Sequence, residues 1–140
     1  MTVYYVLGFA FTSDLKSALL ILKNRPPWQA GLLNGVGGKV EPGEKPLDAM
    51  VREFKEESHI DTTPEQWRHF ATLAGDDFLV LIYATVTDDV LRARTMTDEA
   101  LYLISTERSD TTPPLVPNLK WLLPLALDEQ VKSTVLISIK

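Results

Sequence analysis

The segment from Gly37 to Ile60, "GGKVEPGEKPLDAMVREFKEESHI", constrains this chain more than any other. Between Pro46 and Ser58 the apolar residues Leu47, Met50, Val51 and Phe54 recur at the spacing of one helical face, and proline suits a helix's first turn. The spacing predicts a helix over Pro46–Ser58 whose apolar stripe must be buried, for instance on a sheet. At ~100° per residue, Glu53, Glu56 and Glu57 fall at i, i+3 and i+4 on the neighbouring face. The helix can then pack on a sheet and still turn three carboxylates toward a shared point. Like charges so placed repel, more strongly once desolvated. A hard divalent cation such as Mg²⁺, Mn²⁺ or Ca²⁺ relieves that repulsion through oxygen ligands. The same spacing also suits a solvated acidic face with Arg52 and Lys55 as ordinary partners. What favours a ligand site is the preceding stretch. Gly37 and Gly38 permit close backbone approach, and "EPGE" is a turn that returns the chain into the helix.

The rest of the chain supplies the sheet. Val3 to Thr12 and Ala18 to Lys23 read as strands around the turn "TSDLKS", so an antiparallel pair is expected. "NRPPWQAGLLNGVGG" reads as a loop, long enough to suggest a functional one. Trp67 to Ala74 and Phe78 to Val86 read as strands around "GDD", Glu99 to Ile104 as another, and Val135 to Ile139 as a last one. Leu119 to Leu127 reads as a second helix, interrupted or bent by Pro124. Several strands with two separated helices predict an α/β (α+β) fold, and 140 residues suffice for one domain over 1–140.

Composition excludes several function classes. No apolar run approaches the length a bilayer needs, so no transmembrane helix and no membrane partner are expected. The apolar run at Val3 follows no basic residue, so it reads as a strand rather than a signal peptide, and a cytoplasmic location is expected. Without cysteine there is no disulfide framework and no Cys-based zinc site. A net charge of −5 argues against a broad face for a nucleic-acid polymer, while leaving room for a local basic site for a small anion.

The segment resembles the Nudix box, G-x5-E-x7-R-E-U-x-E-E-x-G-U, where U is bulky and apolar. Gly38, Glu44, Arg52, Glu53, Phe54, Glu56, Glu57 and Ile60 match at the required spacing, and His59 stands where the pattern has glycine. The glycine of the pattern ends a helix in the left-handed region, which His tolerates better than most residues. The resemblance implies a Nudix-like α/β/α sandwich around a central mixed sheet, and hydrolysis of a phosphoanhydride bond in a nucleoside diphosphate derivative. It implies Mg²⁺ as cofactor, with Mn²⁺ as an alternative, held by Glu53, Glu56, Glu57 and the Gly38 carbonyl. Arg52 would orient the glutamates, Lys39 would meet phosphate, and Glu44 would hold the loop against the helix. Relatives add an acidic residue from a later strand or loop. Glu99 is the candidate here, as metal ligand or general base, with Glu53 as the competing base and a surface strand-end Glu as the alternative.

"LLNGVGGKVEPGE" is similar to the form found in enzymes that hydrolyse oxidised purine nucleoside triphosphates. That likeness points to Asn34 in a base pocket and to Trp28 stacking on the base, against the alternative of a hydrophobic plug. Asn118 sits where relatives carry a base-reading residue, though it is also placed to cap the last helix. Arg25 is expected near the phosphates or in solvent, and Trp121 in the core. The implied reaction releases a nucleoside monophosphate and pyrophosphate from a small-molecule nucleotide. Hydrolysis of ADP-ribose, a dinucleoside polyphosphate or a nucleotide sugar is the alternative, as is nucleotide sensing without turnover.

Overall fold

The pleat of β1 (Val3–Phe11) places the sheet between two helices. Its side chains alternate, so Val6 and Ala10 enter one apolar core while Leu7, Phe9 and Phe11 enter the other. A strand covered on both faces needs a nearly continuous apolar sequence, which is what this segment has. The computed structural model describes residues 1–108 and 110–139. The remaining strands are β2 (Ser17–Leu22), β3 (Leu33–Asn34), β4 (Val36–Lys39), β5 (Arg68–Ala74), β6 (Phe78–Val86), β7 (Leu101–Ser105) and β8 (Val135–Ser138), and the helices are α1 (Pro46–Ser58) and α2 (Leu119–Leu127).

The sheet is mixed, as expected. It runs β3-β2-β1-β6-β5-β8, with β4 beside β1 and β7 beside β2. β1 lies parallel to β6 along its whole length and antiparallel to β2 and β4 on its other side. On one face α1 buries Ala49, Met50 and Phe54 against Val6, Ile21 and Trp67. On the other, α2 buries Leu119, Leu122 and Ala126 against Phe9, Leu20 and Phe70. Burying a side chain such as Met50 or Phe54 contributes about 1.5–3 kcal/mol. Repulsion between neighbouring helical carboxylates costs only a few tenths of a kcal/mol per pair in water. Core packing therefore dictates where α1 lies, and the glutamates are carried to the sheet edge with it.

Four sequence expectations are corrected. The stretch read as one loop contains a 3-10 turn (Pro27–Gln29) and the strands β3 and β4. Two- and four-residue strands are too short to show a period, and they are held by backbone pairing, with Val36–Lys39 against Tyr5–Gly8. α2 is not interrupted, since the helix continues through Pro124. Trp121 is not core but 45% exposed, because the buried stripe of α2 runs through Leu119, Leu122 and Leu123. Glu99 precedes β7 instead of opening it. A bulge between His69 and Ala71 also lets the successive residues Phe70 and Ala71 both enter the α2-side core. Among the described residues, no helix is long and apolar enough to cross a membrane.

Candidate functional site

Arg52 organises the carboxylate end of α1. Its guanidinium donates to both oxygens of Glu44, at 2.8 and 2.9 Å, to Glu53 Oε1 at 2.9 Å and to the Lys39 carbonyl at 3.2 Å. The fork ties the "EPGE" turn, the end of β4 and the helix into one unit. Glu44 also accepts the Glu41 N–H at 3.1 Å, which closes the turn. The Glu44 contact, with support from Glu53, drives the Arg52 pKa upward, and Arg52 in turn holds the Glu44 carboxyl below the usual carboxylate range.

The three glutamates do not turn equally to one point. Glu57 is 8% exposed, whereas the Glu56 side chain is 54% exposed and lies 3.4 Å from Arg52 at the rim. Among the described residues no three His, Cys, Asp or Glu side chains converge closely enough to hold a metal ion as they stand. The donor chemistry nevertheless fits one. Glu57 Oε2 is buried with no hydrogen-bond partner, an orphaned carboxyl oxygen. Burial first, then contact with the Glu53 carboxyl, pushes the Glu57 carboxyl up to about 8, and Glu99 adds to the shift while Lys23 opposes it. Glu57 thus feels the charges of both Glu53 and Glu99. Gly38 completes the group, since a Cβ there would lie 2.5 Å from the Glu53 carboxylate. The backbone approaches Glu53 so closely only because residue 38 has no side chain.

Glu99 is also buried, at 5% exposure. Lys23 Nζ donates to its Oε1 at 3.0 Å and the Asn24 N–H to its Oε2 at 2.6 Å. Burial raises the Glu99 carboxyl, but the Asn24 and Lys23 contacts outweigh it and hold the group below its ordinary value. Arg25 pairs with Asp98 at 2.5 Å and lies 4.0 Å from Glu99. The end of β2 is therefore clipped to the segment before β7. Lys23 was not singled out from the sequence, because a lysine in a strand-end "LKN" carries no signal of its own.

A cleft of about 760 Å³ runs along this edge. Trp28, Asn34, Asn118, Lys23, Arg25, Gly38 and Lys39 all line it, and Leu73, Phe78 and Val80 give it an apolar wall. Segments far apart in sequence meet there because β3 pairs with β2 and Leu33 bridges to Leu115, just before α2. Trp28 is 65% exposed, so it is no buried plug. Asn118 makes no side-chain cap bond to α2, and its Oδ1 is buried without a partner. Asn34 is fixed at both ends of its amide, its Oδ1 accepting the Gly35 N–H and its Nδ2 donating to Gln29, each at 2.8 Å. A cleft of about 810 Å³ opens at the other end of α2 beside Arg68, Thr85 and Lys132, and contains none of these residues.

α1 ends as its sequence suggested. His59 adopts φ 65°, ψ 23°, and its N–H donates to the Lys55 carbonyl at 3.0 Å. This left-handed cap favours glycine. His59→Gly is expected to be neutral or to raise the thermal midpoint slightly, with turnover unchanged. Lost activity at preserved stability would instead give the imidazole a chemical role.

The family model of the NUDIX domain matches residues 3–130. No curated protein matches the sequence significantly. Among solved structures, the chain is similar to MutT described from Aliivibrio salmonicida and Vibrio cholerae, at 22% identity and a TM-score of 0.73, covering 91% of this chain and 98% of that one. A NUDIX-family hydrolase from Clostridium perfringens aligns at 20% identity and a TM-score of 0.72, covering 91% and 97%. The NUDIX domain of Shewanella oneidensis NrtR, solved with ADP ribose, aligns at 14% identity and a TM-score of 0.74, covering 94% and 90%. At these identities the structural likenesses speak for the fold.

Proposed function

The chain belongs to the NUDIX family, hydrolases of phosphoanhydride bonds that use divalent metal ions, and from that premise we propose that it splits nucleoside triphosphates into a nucleoside monophosphate and pyrophosphate. The observation that carries this reading is the cleft that joins an exposed indole and two asparagines to Lys39, Gly38 and Lys23, the last two lying directly against Glu53 and Glu99. An aromatic face with amides suits a base, and the basic residues beside them suit phosphates. Oxidised purine nucleotides belong to the same substrate class.

Glu53, Glu57, Glu99 and the Gly38 carbonyl would hold the cation, Mg²⁺ or Mn²⁺, with Glu56 at the rim. When bound, the cation neutralises phosphate charge and activates water. Arg52 fixes the Glu53 carboxylate through its 2.9 Å bond. Lys39, Lys23 and Arg25 line the phosphate end of the cleft. Glu99 has both oxygens engaged, by Lys23 and Asn24, whereas Glu53 has only one engaged by Arg52. Glu53 is therefore the better placed of the two to take the proton of the attacking water.

The test is hydrolysis of a nucleotide panel with Mg²⁺ or Mn²⁺ and identification of the products. Pyrophosphate and monophosphate are expected from triphosphates. Orthophosphate release, or turnover of ADP-ribose alone, sinks the reading, and the ADP ribose complex of the NrtR domain makes that compound the informative competitor. Trp28→Ala is expected to raise KM for every nucleotide by at least about fivefold, the equivalent of losing ~1 kcal/mol of stacking.

A further inference from the structure

We infer that Gln29 is a specificity-determining residue: it orients the Asn34 amide and adds a donor of its own, so that the cleft discriminates carbonyl-edged from amino-edged bases. The inference rests on the nucleotide reading above. Gln29 ends the 3-10 turn that follows Pro26. Its backbone is held on both sides, its N–H donating to the Pro26 carbonyl and its carbonyl accepting the Leu32 N–H, each at 2.9 Å. From that fixed point its Oε1 accepts Asn34 Nδ2 at 2.8 Å. The Gly35 N–H occupies Asn34 Oδ1. Asn34 is thereby left with a single free N–H, and each of the two amide oxygens already accepts one hydrogen bond.

Gln29 Oε1 is held against Asn34, which leaves the NH₂ as the unbonded end of its amide. Gln29 and Asn34 together form a patch of donors beside Trp28. Across the cleft lies Asn118, whose own Oδ1 is buried without a partner. A base that directs a carbonyl at the Gln29–Asn34 pair satisfies it. A base that directs an exocyclic amine there leaves donors facing donors in a partly dry site, a mismatch that binding sites reject strongly.

Two substitutions separate the parts of this role. Gln29→Leu removes both the restraint on Asn34 and the extra donor. Gln29→Glu still accepts the Asn34 N–H but replaces the donor by an acceptor. Calorimetric affinities for GMP, UMP, AMP and CMP are read without added metal, beside turnover of the triphosphates. The wild type is expected to favour GMP and UMP over AMP and CMP by about tenfold. Gln29→Leu should shrink that ratio at least threefold, and Gln29→Glu should invert it, with thermal midpoints preserved. A merely structural role would weaken all four ligands by a common factor. That result, an unchanged ratio, or no base preference in the wild type overturns the inference. Base-selective binding without hydrolysis would overturn the catalytic reading alone.

Discussion

Glu57→Gln is expected to leave the fold intact and to lower metal-dependent turnover at least about tenfold, a loss of ~1.4 kcal/mol or more in transition-state stabilisation. The change keeps the shape of a buried side chain and removes its charge. Because burial pushes the Glu57 carboxyl from 4.5 in the unfolded chain up to about 8, the folded protein prefers it protonated. Its stabilising contribution is complete below pH 4.5 and is lost as pH rises through about 8. Without metal, the wild type should therefore lose stability across that window. Glu57→Gln, which cannot ionise, should lose less and be the more stable of the two at the alkaline end. Chemical denaturation of both proteins over the window, read beside turnover, checks the two halves independently. Full turnover in a folded Glu57→Gln protein would remove Glu57 from the cation-holding set.

Gly38→Ala should reduce turnover by about a hundredfold, the order of loss that follows from misplacing a catalytic group by ~1 Å. The added Cβ would fall 2.5 Å from the Glu53 carboxylate. That carboxylate is the far end of a flexible side chain, so it can move away and the fold survives. In moving it leaves Arg52. Gly37→Ala offers the contrast. There the new Cβ would lie 2.0 Å from the Val6 carbonyl oxygen, on the neighbouring strand. Backbone cannot step aside, and a destabilisation of about 1–3 kcal/mol or more is expected. Thermal melts and turnover of the two variants should thus diverge: one stable and nearly inactive, the other unstable. Equal stability of the two would show that β4 yields more readily than its pairing with β1 implies.

The glycine pair shows where sequence reading stopped. Both glycines suggested close approach to a ligand. The fold assigns Gly37 to the approach of β4 against β1 and reserves Gly38 for Glu53. Neither partner is adjacent in sequence, so composition cannot tell the two apart. The same limit hid β3 and β4, whose few residues pair through backbone groups that every residue carries.

What the sequence determined by itself was local and periodic. The stripe of Leu47, Met50, Val51 and Phe54 specified α1 and its buried face, and the resemblance to the Nudix box implied the roles of Glu44 and Arg52 in the hub that joins the turn to the helix. His59 in the left-handed region followed from its place at the helix end. What only the tertiary structure decided was depth and company. Three helical glutamates look alike in sequence, yet packing of α1 on the sheet buries Glu57, half-buries Glu53 and leaves Glu56 at the rim. Glu99 acquired Lys23 and Asn24 as partners across a sequence gap of more than seventy residues. Asn118 faced the cleft instead of capping its helix because β3, β2 and the start of α2 converge there. Side-chain spacing fixes which groups share a face, but burial and charge come from strands brought together by the whole core.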